Sequence, residues 1–299
     1  MKDEIIRIAV MSDIHSNISA LDACIHDSKR YKAKYYLFLG DLITDWEHPH
    51  EVLSRVSSLS DRVIRGNREN AIIDRRNQDF EGVWKRFDSF ASMEWTYNQL
   101  TSDELDYIEN LPKQMRVPVN DKYSIRMVHG SVFSANEKLL KSQGNMAVAP
   151  SFEKIEDNIL LFGHTHEQWM TQVDGKIAVN PGSVGVHYNG SRCAEYAILE
   201  FVGDELNVIL RQVEYNFDKA VTEVYKSDLY EKAYVWMMII LSGMASGRSI
   251  INDFMYDIKT ERLNTDMTTK GPIPNDVWNK VFEEKYSPLA MKLLFGIDT

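Results

Sequence analysis

Five short, mostly apolar runs in the first two thirds of the chain each end abruptly in polar residues. They are Ile5–Met11, Tyr35–Leu39, Arg62–Arg65, Tyr123–Val128 and Ile159–Phe162. Runs of this length, rich in Ile, Val, Leu and aromatic residues and stopped by glycine or polar residues, are typical of strands in a buried sheet. The sequence therefore predicts a buried sheet built from these runs.

Helical patterns separate these runs. Ile18, Leu21 and Ile25 lie on one face of a helix that starts near Asn17, and Thr101–Glu104 forms a capping box at the start of another. Strands that alternate with helices predict an α/β fold, in which functional residues lie at the carboxyl ends of the strands.

The pattern changes after residue 167. Asp174-Gly175 and Gly203-Asp204 each separate two strand-like segments, which predicts two antiparallel hairpins. From about Asp218 onward the pattern is helical, with a loop over 264–275. We therefore predict a domain over 1–215, with a helical insertion at about 70–112, and a helical C-terminal extension over 216–299.

Charge and cysteine content limit the possible partners and location. The 299 residues carry a formal charge of −10, which argues against strong binding to nucleic acid or to an anionic membrane. Two isolated cysteines provide neither a disulfide framework nor a thiolate zinc site, and they indicate reduced thiols in a cytoplasmic protein. The most apolar stretch, 233–246, is shorter than the roughly 20 residues that span a bilayer, so we expect a buried helix there.

The polar residues that follow the strand-like runs are imidazoles, carboxylates and one amide. They are Asp13, His15, Asp41, Asn67, His129, His164 and His166. Because the ends of neighbouring strands converge, we expect these side chains to form one cluster. Mixed oxygen and imidazole nitrogen ligands suit Mn, Fe, Zn or Ni rather than Ca.

These motifs occur in an order that resembles the calcineurin-like metallophosphoesterases. The motifs are Asp13-x-His15, Gly40-Asp41, Gly66-Asn67, His129 and Gly163-His164-x-His166. The similarity runs from about residue 6 to 215 and is greatest to small bacterial and archaeal phosphodiesterases and to relatives of bacterial diadenosine tetraphosphatase. It implies a four-layer α/β/β/α sandwich of two mixed sheets.

The resemblance also implies a dinuclear centre, in which Asp41 and a hydroxide bridge two divalent transition-metal ions. The first ion would take Asp13, His15, Asp41 and His166, and the second would take Asp41, Asn67, His129 and His164. Asp41, Asn67, Arg68 and His129 would contribute to catalysis. The implied reaction is hydrolysis of a phosphodiester, phosphoanhydride or phosphomonoester, with a phosphorylated small molecule or nucleotide as substrate.

One position departs from the family pattern. Many members carry histidine after the Gly-Asn motif, at a position associated with protonation of the leaving group, whereas this chain has Arg68. Arginine keeps its proton, so it cannot act as the acid, but it can bind a phosphate oxygen. The alternatives are that Arg68 points to solvent or pairs with Glu69. His187, expected at the rim of the pocket, could bind substrate and supply the missing proton.

Two other functions fit the same motifs. One is dephosphorylation of phosphoserine or phosphothreonine in proteins, and the other is a non-catalytic protein-binding scaffold of the same fold.

The apolar helix around Trp236 is expected to pack on the catalytic domain or on a second copy of the chain, in a homodimer formed through the C-terminal helices.

Overall fold

A computed structural model describes residues 5–78, 81–265 and 270–297. Nine strands in this part of the chain form two sheets. The strands are β1 Ile5–Met11, β2 Tyr35–Phe38, β3 Gln114–Pro118, β4 Ser124–Val128, β5 Ile159–Leu161, β6 Trp169–Val173, β7 Lys176–Asn180, β8 Ala194–Val202 and β9 Glu205–Val213. Both predicted hairpins are confirmed, since β6 pairs with β7 around Asp174-Gly175 and β8 pairs with β9 around Gly203-Asp204.

Each sheet is mixed. The first has the order β2-β1-β8-β9, in which β1 runs parallel to β2 and antiparallel to β8. The second has the order β3-β4-β5-β7-β6, in which β4, β5 and β7 are parallel and the two edge strands are antiparallel to their neighbours.

Thirteen α-helices surround the sheets in the described ranges. They are α1 Ile18–Arg30, α2 Pro49–Leu59, α3 Asn67–Asn77, α4 Glu81–Arg86, α5 Ala91–Gln99, α6 Ser102–Asn110, α7 Asn145–Phe152, α8 Phe217–Lys226, α9 Asp228–Lys232, α10 Tyr234–Ser246, α11 Ile250–Asn264, α12 Asn275–Val281 and α13 Ser287–Phe295. The side chain of Asn17 caps α1, and Thr101 caps α6 with Glu104 in the predicted capping box.

Three apolar clusters define four layers. Residues such as Val10 from the first sheet and Met127 from the second interdigitate between the two sheets. The outer face of the first sheet packs against α1 and α2 through Leu21 and Val52, and the outer face of the second packs against α7 through Val148. The expected α/β/β/α sandwich of two mixed sheets is therefore confirmed.

One predicted strand is wrong. The run Arg62–Arg65 forms only an isolated bridge between Val63 and Phe38. The backbone N–H of Arg65 already donates to the carbonyl of Pro112, so the chain leaves the sheet after one pair. The edge strand β3 was not predicted, because its alternating exposed side chains carry no apolar run.

The C-terminal helices lie against the rest of the chain. α10 is buried around most of its circumference. One side of α10 contacts Trp46, Trp95 and Val186, while the other packs on Phe254 and Trp278 of the later helices. This apolar helix thus contacts its own chain, and the homodimer stays a prediction. The predicted loop over 264–275 lies partly outside the described residues, at 266–269.

None of the helices that the structure describes combines the length and the apolar character that a membrane crossing requires.

Candidate metal centre

The centre lies where four strands end at the same edge of the two sheets. Asp13 and His15 follow β1, Asp41 follows β2, His129 follows β4, and His164 and His166 follow β5. Backbone hydrogen bonds join these loops: Asp13 N donates to Gly40 O at 3.1 Å, and Gly163 N donates to His129 O at 2.7 Å. The convergence of strand ends that the sequence predicted is therefore present.

The loops use unusual backbone conformations. Five of the expected ligand residues lie in the left-handed region with φ between 50° and 68°, namely Asp13, His15, Asp41, His164 and His166. Asp and His adopt this region more readily than most residues, and strain of this kind is concentrated at functional sites. Each such turn directs a side chain from the end of a strand into the centre.

Three side chains form a first group. Oxygen or nitrogen atoms of Asp13, His15 and His166 all lie within 4.8 Å of one another. The Nε2 atoms of the two histidines are 3.3 Å apart, and His166 Nε2 is 3.3 Å from Asp13 Oδ1. Ligands of a tetrahedral ion at about 2.0–2.1 Å are separated by about this distance.

A second group lies beside the first. It contains Asp41, His129 and His164, again within 4.8 Å of one another. His129 Nε2 is 3.3 Å from Asp41 Oδ2 and 3.0 Å from Asn67 Oδ1. Asp41 Oδ2 is also 3.9 Å from His15 Nε2 of the first group, so this carboxylate stands between the two groups.

Two buried atoms of the centre make no hydrogen bond, which fits a role as metal ligands. Neither Asp13 Oδ1 nor His164 Nε2 makes a hydrogen bond in the described part of the chain, although Asp13 Oδ1 lies 3.3 Å from His166 Nε2. A buried carboxylate oxygen that lacks a well-aligned donor is costly, and binding of a cation would remove that cost. The donor set therefore fits divalent transition-metal ions.

Hydrogen bonds behind the histidines orient their rings. The Nδ1 of His129 lies 2.8 Å from Leu39 O, and that of His166 lies 2.5 Å from Val186 O. The Nδ1 of His15 instead forms an ion pair with the Asp45 carboxylate at 3.1 Å, and it also lies 3.5 Å from Thr44 Oγ1. Donation from Nδ1 leaves Nε2 as the atom that faces the centre, which is the arrangement that metal-binding histidines use.

The charges of the centre favour a cation. Burial opposes ionisation of Asp13, but the imidazoles of His166 and His129 lower its pKa. Burial likewise opposes a charged ring at His129, but the Asp41 and Asp13 carboxylates outweigh it and raise the pKa of His129 to about 10. Without an ion, protons on the imidazoles balance the carboxylates, and a bound cation would displace them.

Glu69 fixes the backbone behind Asp41, a role that the sequence did not reveal. Its buried carboxylate accepts hydrogen bonds from the backbone N–H groups of Asp41, Leu42 and Gly66 at 2.7–2.8 Å. A Cβ on Gly66 would collide with the side chain and backbone of Asp41, so only glycine permits this close approach.

Arg68 faces the centre rather than solvent. Its Nη2 donates to Asp45 Oδ2 at 3.2 Å, and its guanidinium carbon lies 5.3 Å from the ring centre of Trp236. The two alternatives to phosphate binding are not seen. The Arg68 side chain is only 18% exposed, so it does not point to solvent. The Glu69 carboxylate accepts hydrogen bonds from backbone N–H groups and does not pair with Arg68.

The expectation that His187 lies at the pocket rim is wrong. His187 is fully buried, and its Nε2 lies 3.0 Å from the Tyr215 hydroxyl. Tyr215 and Phe217, at the entry to the C-terminal helices, cover its ring. Burial, with a smaller contribution from His166, lowers the pKa of His187 to about 3, so this ring is neutral at ordinary pH.

A cavity of about 1020 Å³ opens onto the centre. Metal-centre residues, including His15, Asp41, Asn67, His164 and His166, line one side of it. Trp236, Arg248 and Met255 of the C-terminal extension line another, whereas none of the described lining residues comes from the helical insertion at 70–112. The extension therefore shapes the space in front of the centre.

The chain is similar to known proteins in both sequence and structure. It is 25% identical over 240 residues to the Methanocaldococcus jannaschii protein MJ0912, and this alignment covers 75% of this chain and 94% of that protein. A metallophosphoesterase from Sphaerobacter thermophilus matches with a TM-score of 0.64 and 26% identity, over 81% of this chain and 99% of that one. The hypothetical protein PH1004 from Pyrococcus horikoshii OT3 matches with a TM-score of 0.67 and 20% identity, over 77% and 97%.

The family model that matches is that of the calcineurin-like phosphoesterase superfamily domain. It spans residues 6–204, about two thirds of the chain, and includes all seven expected ligands. The match agrees with the order of the motifs, with the two mixed sheets and with the position of the centre at the strand ends. The chain belongs to the calcineurin-like phosphoesterase superfamily.

Proposed function

We propose that this protein uses two divalent transition-metal ions to hydrolyse a phosphorylated small molecule or nucleotide. Metal-dependent phosphoester hydrolysis in general follows from the family and from the buried Asp and His groups. The number of ions, their identity among Mn, Fe, Zn and Ni, and the choice among phosphodiester, phosphoanhydride and phosphomonoester are parts of the proposal.

The observation that carries the proposal is the pairing of two donor groups around one shared carboxylate. Asp41 stands between the group with His15 and the group with His129, which suits one ion on each side. A protein-binding scaffold has no need of buried donors with unsatisfied atoms, such as Asp13 Oδ1 and His164 Nε2. Their retention favours an enzyme over the scaffold.

Bound ions would supply Lewis acidity and an activated water, as in other two-metal phosphoesterases. The surrounding residues divide the remaining work. Asp13, His15 and His166 would hold one ion, and Asn67, His129 and His164 the other, with Asp41 on both. Arg68 faces the same cavity and can donate to a phosphate oxygen, which positions the phosphorus and stabilises negative charge on it.

The cavity favours a substrate larger than inorganic phosphate. Its volume of about 1020 Å³ matches the upper range of small-molecule sites. Tyr188 and Trp236 supply aromatic surface to the cavity, while Lys138, Lys141 and Arg248 supply positive charge. These features suit a ligand with an aromatic base and more than one anionic group, such as a nucleotide.

A substrate panel tests the proposal. The metal-stripped protein, reloaded separately with Mn²⁺, Fe²⁺, Zn²⁺ or Ni²⁺, would be assayed on aryl phosphomonoesters, aryl phosphodiesters, dinucleoside polyphosphates and a phosphopeptide, with Asp41→Asn as the control. We expect metal-dependent release of phosphate or alcohol from a small-molecule substrate. Hydrolysis of the phosphopeptide alone would support the protein-phosphatase alternative, and no hydrolysis with any metal would contradict the proposal.

The cytoplasmic location stays a prediction.

A further inference from the structure

Asp45 connects the C-terminal extension with the metal centre. It lies four residues after Asp41, is 1% exposed and adopts a left-handed backbone with φ 70°. Its carboxylate has four polar partners: His15 Nδ1 at 3.1 Å, Arg68 Nη2 at 3.2 Å, Ser92 Oγ at 3.1 Å and Trp236 Nε1 at 2.8 Å. The first two belong to the proposed active site, and the last belongs to α10 of the extension.

The partners divide between the two carboxylate oxygens. Oδ2 faces His15 and Arg68, whereas Oδ1 accepts from Ser92 and Trp236. Burying a carboxylate is costly unless its oxygens are paired. The donors on Oδ1 therefore fix the orientation in which Oδ2 meets the two active-site side chains.

Trp236 is itself held by the extension. Its ring stacks on that of Trp278 with an interplanar angle of 15°, within the apolar cluster of α10 to α13. The Arg68 guanidinium carbon also lies 5.3 Å from the centre of the Trp236 ring, in a cation–π arrangement. One side chain of the extension thus touches both Asp45 and Arg68.

We infer that Trp236 and Asp45 are positioning residues, through which the C-terminal extension completes the active site. Trp236 orients Asp45, Asp45 orients the ring of His15 so that Nε2 faces the ion, and the two together hold Arg68 toward the substrate phosphate. The inference rests on the proposed function, since it concerns the same centre. It gives the extension a role in the reaction beyond covering apolar surface.

A matched pair of substitutions isolates the hydrogen bond from the packing. Trp236→Phe keeps an aromatic ring next to Trp278 and Arg68 but removes the N–H that reaches Asp45. Trp278→Phe makes the same chemical change in the partner ring, whose Nε1 has no hydrogen-bond partner in the described part of the chain. Any effect of Trp236→Phe that exceeds that of Trp278→Phe therefore reports the bond to Asp45.

The main measurement is calorimetric titration of the metal-stripped proteins with Mn²⁺ and without substrate. Loss of an outer hydrogen bond to a metal-binding histidine typically weakens affinity by about 10- to 100-fold. We expect Asp45→Asn to weaken one Mn²⁺ binding step within this range. Trp236→Phe should weaken the same step by about 5- to 10-fold, and Trp278→Phe should change it less than about 2-fold. In the double variant Asp45→Asn/Trp236→Phe, the two effects should not add, because both act on one contact.

Turnover and melting temperature complete the test. With an aryl phosphate substrate, Trp236→Phe should lower kcat/KM more than Trp278→Phe while both variants melt at similar temperatures. If Trp236→Phe binds Mn²⁺ as tightly as Trp278→Phe, the inference is overturned, even if the protein proves to be a phosphoesterase. If no substrate is hydrolysed but the Mn²⁺ affinities follow the expected order, the proposed function fails while the positioning of His15 stands.

Discussion

Arg68 provides the sharpest test of how the reaction handles the leaving group. A fixed cation can stabilise charge on the phosphate but cannot protonate a departing alkoxide. The rate should therefore fall steeply as the leaving group becomes more basic. His187 is not placed to protonate the leaving group. It is buried under Tyr215 and Phe217, and it is not among the described residues that line the cavity.

The magnitude follows from the contacts of Arg68. One of its N–H groups is bonded to Asp45, which leaves others for a phosphate oxygen in the cavity. A hydrogen bond to a charged group contributes about 1.5–3 kcal/mol. Arg68→Ala should thus lower kcat/KM by about 10- to 160-fold for every substrate. The dependence on leaving-group pKa should keep the slope of the wild type.

Arg68→His is the informative counterpart. It places a group that titrates near neutral pH where the arginine stood, so it should flatten the dependence on leaving-group basicity. The assay is kcat/KM for a series of substituted aryl phosphates with wild type, Arg68→Ala and Arg68→His, at fixed metal and pH. Equal slopes for wild type and Arg68→His would show that the proton comes from another group. No loss in Arg68→Ala would remove Arg68 from the proposed active site.

Three further predictions concern the bridge, the extension and pH. Asp41→Asn should reduce turnover by more than tenfold, which corresponds to over ~1.4 kcal/mol in the barrier, and it should weaken both Mn²⁺ binding steps. If one step stayed as tight as in wild type, the proposed position of Asp41 between two ions would be contradicted. A chain ending at residue 215 would expose the apolar surface under α10, and it should aggregate or melt at lower temperature; a monomer as heat-resistant as the full chain would refute this. At Asp27, burial opposes ionisation, but hydrogen bonds from Arg211 and Tyr196 lower its pKa, so the charged form stabilises the fold. Asp27→Asn should therefore lower the free energy of unfolding by about 2 kcal/mol at neutral pH. The difference from wild type should shrink as the pH falls from about 4 through the lowered pKa, which urea unfolding at several pH values would measure. A difference that stays constant with pH would refute the charge effect.

Residues at strand ends were predictable because topology alone brings them together. Apolar runs mark where β1, β2, β4 and β5 end, and any side chain placed just after them must lie at one edge of the sheets. The four-layer arrangement came from the resemblance, since periodicity indicates that strands exist but does not say which strands are neighbours.

Other features depend on contacts that no local pattern records. The bond between Trp236 and Asp45 joins residues 191 positions apart and exists only because the extension docks beside the centre. His187 follows a loop next to the centre, but its ring turns inward under side chains that begin the extension. The pairing of Val63 with Phe38 is likewise limited to one bridge, because the N–H of the nearby Arg65 donates to the carbonyl of Pro112. The residues around Val63 do not reveal this distant acceptor.

The pairing of β1 with β8 has a consequence for how the chain is made. β1 is complete by Met11, but its partner on one side ends only at Val202. At about 5–20 residues per second, a ribosome needs about 10–40 s to synthesise the intervening segment. Throughout that time β1 can pair only with β2, and its other edge has no native partner to cover it. We therefore expect the nascent chain to depend on chaperones that bind an unpaired strand edge, and metal to be acquired only after synthesis has passed His166.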